Sequence, residues 1–126
     1  MKIYLWLFIA IILIAALCVF SVSYVNRTVT DVLENLVQLE KAVDKGDWEK
    51  AYEQYLIGEE KWDKKNNLLH AFIEHRDLEE INVIFRRLDY QVISRNLFHV
   101  KISLAELDHY LRHLMENQEF SMGNIL

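Results

Sequence analysis

Hydrophobic and polar positions along this chain follow two regimes. From Ile3 to Val25 there are 23 consecutive uncharged residues, IYLWLFIAIILIAALCVFSVSYV, behind a single Lys2. At about 1.5 Å of helical rise per residue, such a run crosses the roughly 30 Å hydrocarbon core of a bilayer, so it predicts a transmembrane helix. Beyond it, apolar residues recur every three or four positions, the period of helices that bury one face. Val29, Val32, Leu33, Leu36, Leu39 and Val43 make the first stripe. Thr30 or Asp31 can cap its start, unless the transmembrane helix runs on into it. Lys45-Gly46-Asp47 then predicts a turn, with Gly46 as the left-handed residue after one helix and Asp47 as the N-cap of the next.

The second stripe places Trp48, Tyr55, Trp62 and Leu69 at seven-residue spacing, flanked by Ala51, Tyr52, Phe72 and Ile73. Gly58 lies on that same face. A mid-helix glycine costs about 1 kcal/mol relative to alanine, so Gly58 predicts the close approach of a neighbouring helix. Around Glu74-His75-Arg76-Asp77 the chain should turn again, with Asp77 and Glu80 spaced as a capping box before Leu78, Ile81, Ile84, Phe85, Leu88 and Val92. A break at Ser94-Arg95-Asn96, with Asn96 as cap, separates this stripe from Leu97, Val100, Leu104, Leu107, Leu111 and Leu114; one continuous helix over 78–118 is the alternative. A tail of Phe120, Met122, Ile125 and Leu126 follows. The chain has no proline and three glycines, so little interrupts helices. The expected fold is all-α: a transmembrane anchor over 1–25 and a small antiparallel bundle of about four helices over 26–126.

Charge narrows the partners. Of the 14 basic residues all but Lys2 lie in the bundle segment, together with all 19 acidic ones. With no basic stripe, that acidic balance argues against nucleic acid and against anionic lipid binding through the domain. Lipid contact is expected through residues 3–25. Ser21-Val22-Ser23 has the small-x-small form of a signal-peptidase site, but the apolar run already exceeds an ordinary signal core of about 7 to 15 residues before reaching it, so the segment reads as an uncleaved anchor. Cys18 is the lone cysteine; Leu17 before it does not suit a lipobox, and the bundle segment can form no disulfide or thiolate metal site. Lys2 on one side and Arg27, Lys41 and Lys45 on the other leave the positive-inside count undecided. The short N-terminal flank favours N-terminus in and domain out. Asn26-Arg27-Thr28 matches a glycosylation sequon by chance, against the membrane surface.

No catalytic constellation can be assembled. His109 and His113 are one helical turn apart with Asp108 beside them, a spacing that can chelate a divalent metal. The glutamate that zinc hydrolases place after the first histidine is missing, no third ligand is apparent, and histidines near a helix C-terminus are favoured by the dipole alone. His75, beside Glu74, Asp77 and Glu79, is a titratable group at a helix junction; the plainer role is a partner for unpaired backbone groups at a helix end. The row Trp48, Tyr55, Trp62 reads as core, with a wet edge or partners for its polar atoms. Trp48, Trp62 and His75 are therefore the candidate ligand or partner site. No cofactor and no metal are expected. The acidic residues Glu49, Glu53, Glu59, Glu60 and Asp63, interleaved with lysines, make a solvated helix face.

One membrane span, Asp47-Trp48 with Ala51, Trp62, Ile73-Glu74-His75, Ile81, Arg87-Leu88 and a terminal Asn124-Ile125-Leu126 together resemble a family of small membrane-anchored bacterial proteins known as domain of unknown function 4363. The resemblance implies a bacterial, membrane-bound and mostly exterior protein, and brings no activity or site with it. Gly46-Asp47-Trp48-Glu49-Lys50-Ala51 is also similar to the opening of a tetratricopeptide repeat, but no second copy follows at the required period. The function expected is a non-catalytic accessory that binds an envelope protein or itself. A bundle sensing a small ligand or pH near Trp62 and His75, acting through a membrane partner, is the alternative.

Overall fold

The computed structural model describes residues 1–71 and 73–125, with side chains as far as Asn117. Four helices follow in chain order: α1 (Lys2–Asp44), α2 (Trp48–Leu69), α3 (His75–Ile93) and α4 (Leu97–Ile125). The all-α expectation holds, and residues 78–118 form two helices separated at Ser94–Asn96.

α1 is one helix of 43 residues, about 64 Å long. Neither Thr30 nor Asp31 caps a new start, because the polypeptide passes from the apolar run into the first bundle stripe without losing a backbone hydrogen bond. Thr28 donates its hydroxyl to the Tyr24 carbonyl at 2.9 Å instead, one turn back along the helix. The expected division after Val25 is thus a change of surroundings within a continuous helix. Every side chain from Ile3 to Leu17 is exposed, whereas Val25, Val29, Val32, Leu33, Leu36, Leu39 and Val43 are buried. The first half is long and apolar enough to cross a membrane.

The second half of α1 packs on α2 and α4, and α3 packs on the same two helices. This is an up-down ring of four neighbours around one core. The core takes the predicted stripes from each helix: Tyr55, Trp62 and Leu69 from α2, Leu78, Ile81, Phe85 and Leu88 from α3, and Val100, Leu107, Leu111 and Leu114 from α4, all at most 3 % exposed. Gly58 marks a close approach, as its place on the stripe predicts: a Cβ there would lie 3.3 Å from the Cβ of Asn35 on α1. The Asn35 amide donates to Gln54 Oε1 at 2.9 Å across the same contact.

Two corners share one hydrogen-bond plan. At the first, the Gly46 N–H donates to the Val43 carbonyl at 3.1 Å and the Asp47 N–H to the Ala42 carbonyl at 2.9 Å. Gly46 takes the left-handed φ of 75°, and Asp47 Oδ1 accepts from the Lys50 N–H at 3.2 Å. At the second, the Arg95 N–H donates to Val92 and the Asn96 N–H to Gln91, each at 3.1 Å, while Asn96 Oδ1 accepts from the His99 N–H at 3.2 Å. Both are Schellman closures followed at once by an N-cap. The second puts Arg95 at φ 54° where the first has glycine. Lys101 Nζ lies 2.6 Å from Asp44 Oδ1, so both corners stand at the end of the bundle away from the apolar half of α1.

The α2–α3 connection differs from expectation. α3 starts at His75, with Glu74 in the N-cap position and no side-chain capping bond. The Asp77–Glu80 capping box is not formed, because Asp77 already lies in the first helical turn, where the helix dipole favours its charge. α4 runs on through the expected tail as far as Ile125. The predicted place of Phe72 on the α2 stripe, the side chains of Phe120, Met122 and Ile125, and Leu126 fall outside the described residues.

Candidate functional site

Helix geometry separates the three residues singled out by the sequence. Trp48 opens α2 at the corner end, half-buried beside Tyr52, and the two line an open hollow with Glu49, Val92, Ile93 and Arg95. Trp62 stands fourteen positions further along α2, about 21 Å in axial rise. It is 1 % exposed, its ring stacks on Phe85, and its indole N–H donates to Asn82 Oδ1 at 2.7 Å. His75 opens α3 at the opposite end of the bundle. Its ring lies 5.3 Å from that of His70, its Nε2 is 3.4 Å from Glu79 Oε1, and it lines a shallow hollow with Glu74, Arg76 and Glu79. The hollow beside Trp48 and the hollow beside His75 are separate, and Trp62 lines neither.

Polar atoms of the aromatic row find partners inside the protein. The Tyr55 hydroxyl donates to the Phe85 carbonyl at 2.8 Å. Burial, with the Glu59 carboxylate close by, raises its pKa well above the ordinary tyrosine value. Tyr52 is raised as well, first through its hydrogen bond to the Asp89 carboxylate. These phenols stay protonated and neutral through the physiological range, which suits them to hold α2 against α3 and not to exchange protons. Lys101 is raised by its hydrogen bond to Asp44, a cross-helix tie between α4 and α1.

His109 and His113 keep the one-turn spacing read from the sequence. Their rings are 6.3 Å apart, and both are exposed. Asp108 turns away from them to accept from Arg112 through both carboxylate oxygens, at 3.1 and 3.0 Å. Among the described residues no three His, Cys, Asp or Glu side chains gather as a metal site would need.

What the stripe reading passed over is the set of apolar residues off the stripes. Tyr90 is 76 % exposed, Ile93 60 %, Phe98 71 %, and Leu97 and Ile102 a little over 40 %. They bracket the Arg95 corner. Leu97 departs from expectation, since the stripe placed it with Val100 and Leu104 but at the first turn of α4 it lies beyond the core; the others fall outside the three-four pattern, where a solvated helix carries charge.

A model of a family described as "Domain of unknown function (DUF4363)" matches residues 19–125. No curated protein and no solved structure matches.

Proposed function

The chain belongs to the DUF4363 family of domains of unknown function, and we propose that it is a non-catalytic accessory of the bacterial cell envelope, held in the membrane by Ile3–Val25. The bundle then stands outside the cytoplasm and engages another envelope protein. The observation that carries this reading is the continuity of α1. A helix that passes without a break from the apolar run into the core couples the anchor rigidly to the bundle and presents the bundle's side faces at a set height above the bilayer. That is the geometry of a docking post. A core closed by Trp62, Tyr55 and Leu-rich stripes leaves shallow surface hollows, which suit protein contact better than small-molecule chemistry.

Sensing near Trp62 and His75 has less support, since the Trp62 indole is used by Asn82, and His75, two helical turns before Asn82, lines a separate shallow hollow with Glu74, Arg76 and Glu79. The test is photo-cross-linking in the native membrane from a reactive residue at exposed Glu60 and at other exposed faces. Discrete protein adducts are the expected result. Recovery of lipid adducts and uncross-linked monomer from every face would refute the accessory reading.

A further inference from the structure

The apolar run of α1 is longer than the part of it that stands clear of the bundle. From Ile3 to Leu17 every side chain is exposed, which at 15 residues gives about 22 Å of helix against a hydrocarbon core of roughly 30 Å. Cys18, Ser21, Val22 and Tyr24 are already half-buried, and Val25 is buried. The tyrosines and the tryptophan of the run mark the bilayer boundaries independently. Tyr4 and Trp6 stand at one end and Tyr24 at the other. The rise from Tyr4 to Tyr24 is about 30 Å, the separation of the two interfaces that such rings favour. Whatever packs on α1 on the N-terminal side of Tyr24 therefore lies within the membrane.

Two segments reach that depth. Asn35 on α1 faces Gly58 on α2, where an added Cβ would lie 3.3 Å away. Equal rise along the two antiparallel helices from this contact brings Leu69 level with Tyr24. Lys65 agrees with that register, its Nζ lying 5.7 Å from the centre of the Tyr24 ring. Past Leu69 the chain continues before turning into α3, where the rings of His70 and His75 meet at 5.3 Å, so the connection dips beyond Tyr24. α4 descends further. It starts its descent level with Asp44, which Lys101 binds, and runs to Ile125. That is about 36 Å, and an equal descent along α1 ends at Phe20.

These two segments are also the longest stretches of the bundle segment without Lys, Arg, Asp or Glu: eight residues from Asn66 to Ile73 and seven from Phe120 to Leu126, where no other exceeds five. At the last turn of α2, Leu68 is 43 % exposed, and Ala71 is exposed beside it. Charge returns at Glu74, where the chain turns back out. Depth and composition coincide at one end of the molecule.

Building on the reading that Ile3–Val25 spans the membrane, we propose that the foot of the bundle is seated in the bilayer, with the α2–α3 connection at Leu68 and Ala71 and the last turns of α4 taking lipid acyl chains as their partner beside Phe20–Tyr24. Acyl chains fit this surface better than anionic headgroups do, because the connection itself brings no Lys or Arg and Glu74, Glu79 and Glu80 follow it directly. Seating beside α1 stops the bundle from turning about the anchor axis, and so fixes which side face is offered to an envelope partner.

The test uses the full-length protein at one copy per phosphatidylcholine nanodisc, where lipid is the sole possible occupant. In a Cys18→Ser background a nitroxide is attached at Leu68→Cys. The comparison sites are Leu56→Cys, 47 % exposed and about three turns higher on α2, and Val19→Cys, 52 % exposed on α1. Collisions with oxygen, which concentrates among acyl chains, are compared with collisions with a nickel chelate confined to water. Oxygen should dominate at Val19 and Leu68, and the chelate at Leu56. If Leu68→Cys melts early, Ala71→Cys carries the probe instead. Chelate-dominated collisions at the foot with oxygen dominant at Val19 overturn the seating and leave the anchor standing, the bilayer thinning to meet α1. Chelate dominance at Val19 as well removes the anchor and the seating together. Oxygen dominance at Leu56 equal to that at Leu68 overturns the proposal too, since the bundle would then lie flat on the membrane.

Discussion

The Gly46 corner and the Arg95 corner solve the same problem with opposite surfaces. Each must reverse the chain between antiparallel helices and satisfy the carbonyls at one helix end and the N–H groups at the next. Both do so with the same three hydrogen bonds. The first uses the residue that reaches positive φ freely and surrounds it with charge. The second uses arginine, which carries a penalty of about 1 kcal/mol or more in that conformation, and surrounds it with exposed apolar side chains. Local backbone needs therefore explain Gly46 and leave Arg95, Ile93 and Phe98 unexplained.

The two hairpins, α1–α2 and α3–α4, share one core, and the most damaging change is the one that separates them. Trp62 joins α2 to α3 through its ring on Phe85 and its N–H on Asn82. Trp62→Ala should lower the unfolding free energy by about 3–5 kcal/mol, read from chemical denaturation in detergent. It should also replace one cooperative transition by two as the hairpins part. A single transition with a small shift would show that the hairpins are joined elsewhere.

A smaller effect follows from Tyr55, which makes another polar bond between the hairpins. Its pKa is raised in the folded protein by burial first and Glu59 second. Its contribution is therefore complete below the ordinary tyrosine pKa of about 10 and declines as pH rises above it, because the unfolded chain then gives up a proton that the folded chain retains. Melting temperatures should fall above about pH 10, with a slope approaching about 1 kcal/mol per pH unit. Tyr55→Phe should flatten that slope while leaving the parts due to Tyr52 and Lys101, whose raised pKa values act in the same direction. An equally steep alkaline decline in Tyr55→Phe would assign the effect to other groups.

The smallest expected effect is the sharpest test of the corners themselves. Nothing lies within 4 Å of a Cβ added at Gly46, so only its φ of 75° opposes substitution. Gly46→Arg should destabilise by about 1 kcal/mol, and Arg95→Gly should stabilise by a similar amount, less the entropy that glycine adds to the unfolded chain. Thermal melts of the two single variants and of the exchanged pair check this. The pair should come out close to the parent. Destabilisation by Arg95→Gly would mean that the arginine side chain supports the fold.

Much of this architecture is legible in the sequence because its signals are local. Gly46-Asp47 and Asn96 are caps whose chemistry acts within three residues, and the stripes of α2, α3 and α4 name their own buried faces. The Asp77–Glu80 capping box misled for the same reason. Its spacing is satisfied in the sequence, but α3 had already started at His75, and a start is decided by where the preceding connection leaves the chain. Trp48, Trp62 and His75 looked related because they are large or titratable residues near predicted boundaries. Axial rise along α2 carries Trp48 and Trp62 apart, and the reversal into α3 puts His75 at the other end.

By itself the sequence determined the apolar run of Ile3–Val25, the helical class, the residues that face the core and the chemistry of the turns. Each depends on composition and on periods of three to four residues. Only the tertiary structure decided that α1 is unbroken, that the indole of Trp62 and the phenol of Tyr55 are satisfied across helices, and that two corners far apart in the chain stand together with matching bonds and contrasting surfaces. Those properties arise from contacts between helices, and neither helical period nor capping chemistry extends beyond its own helix.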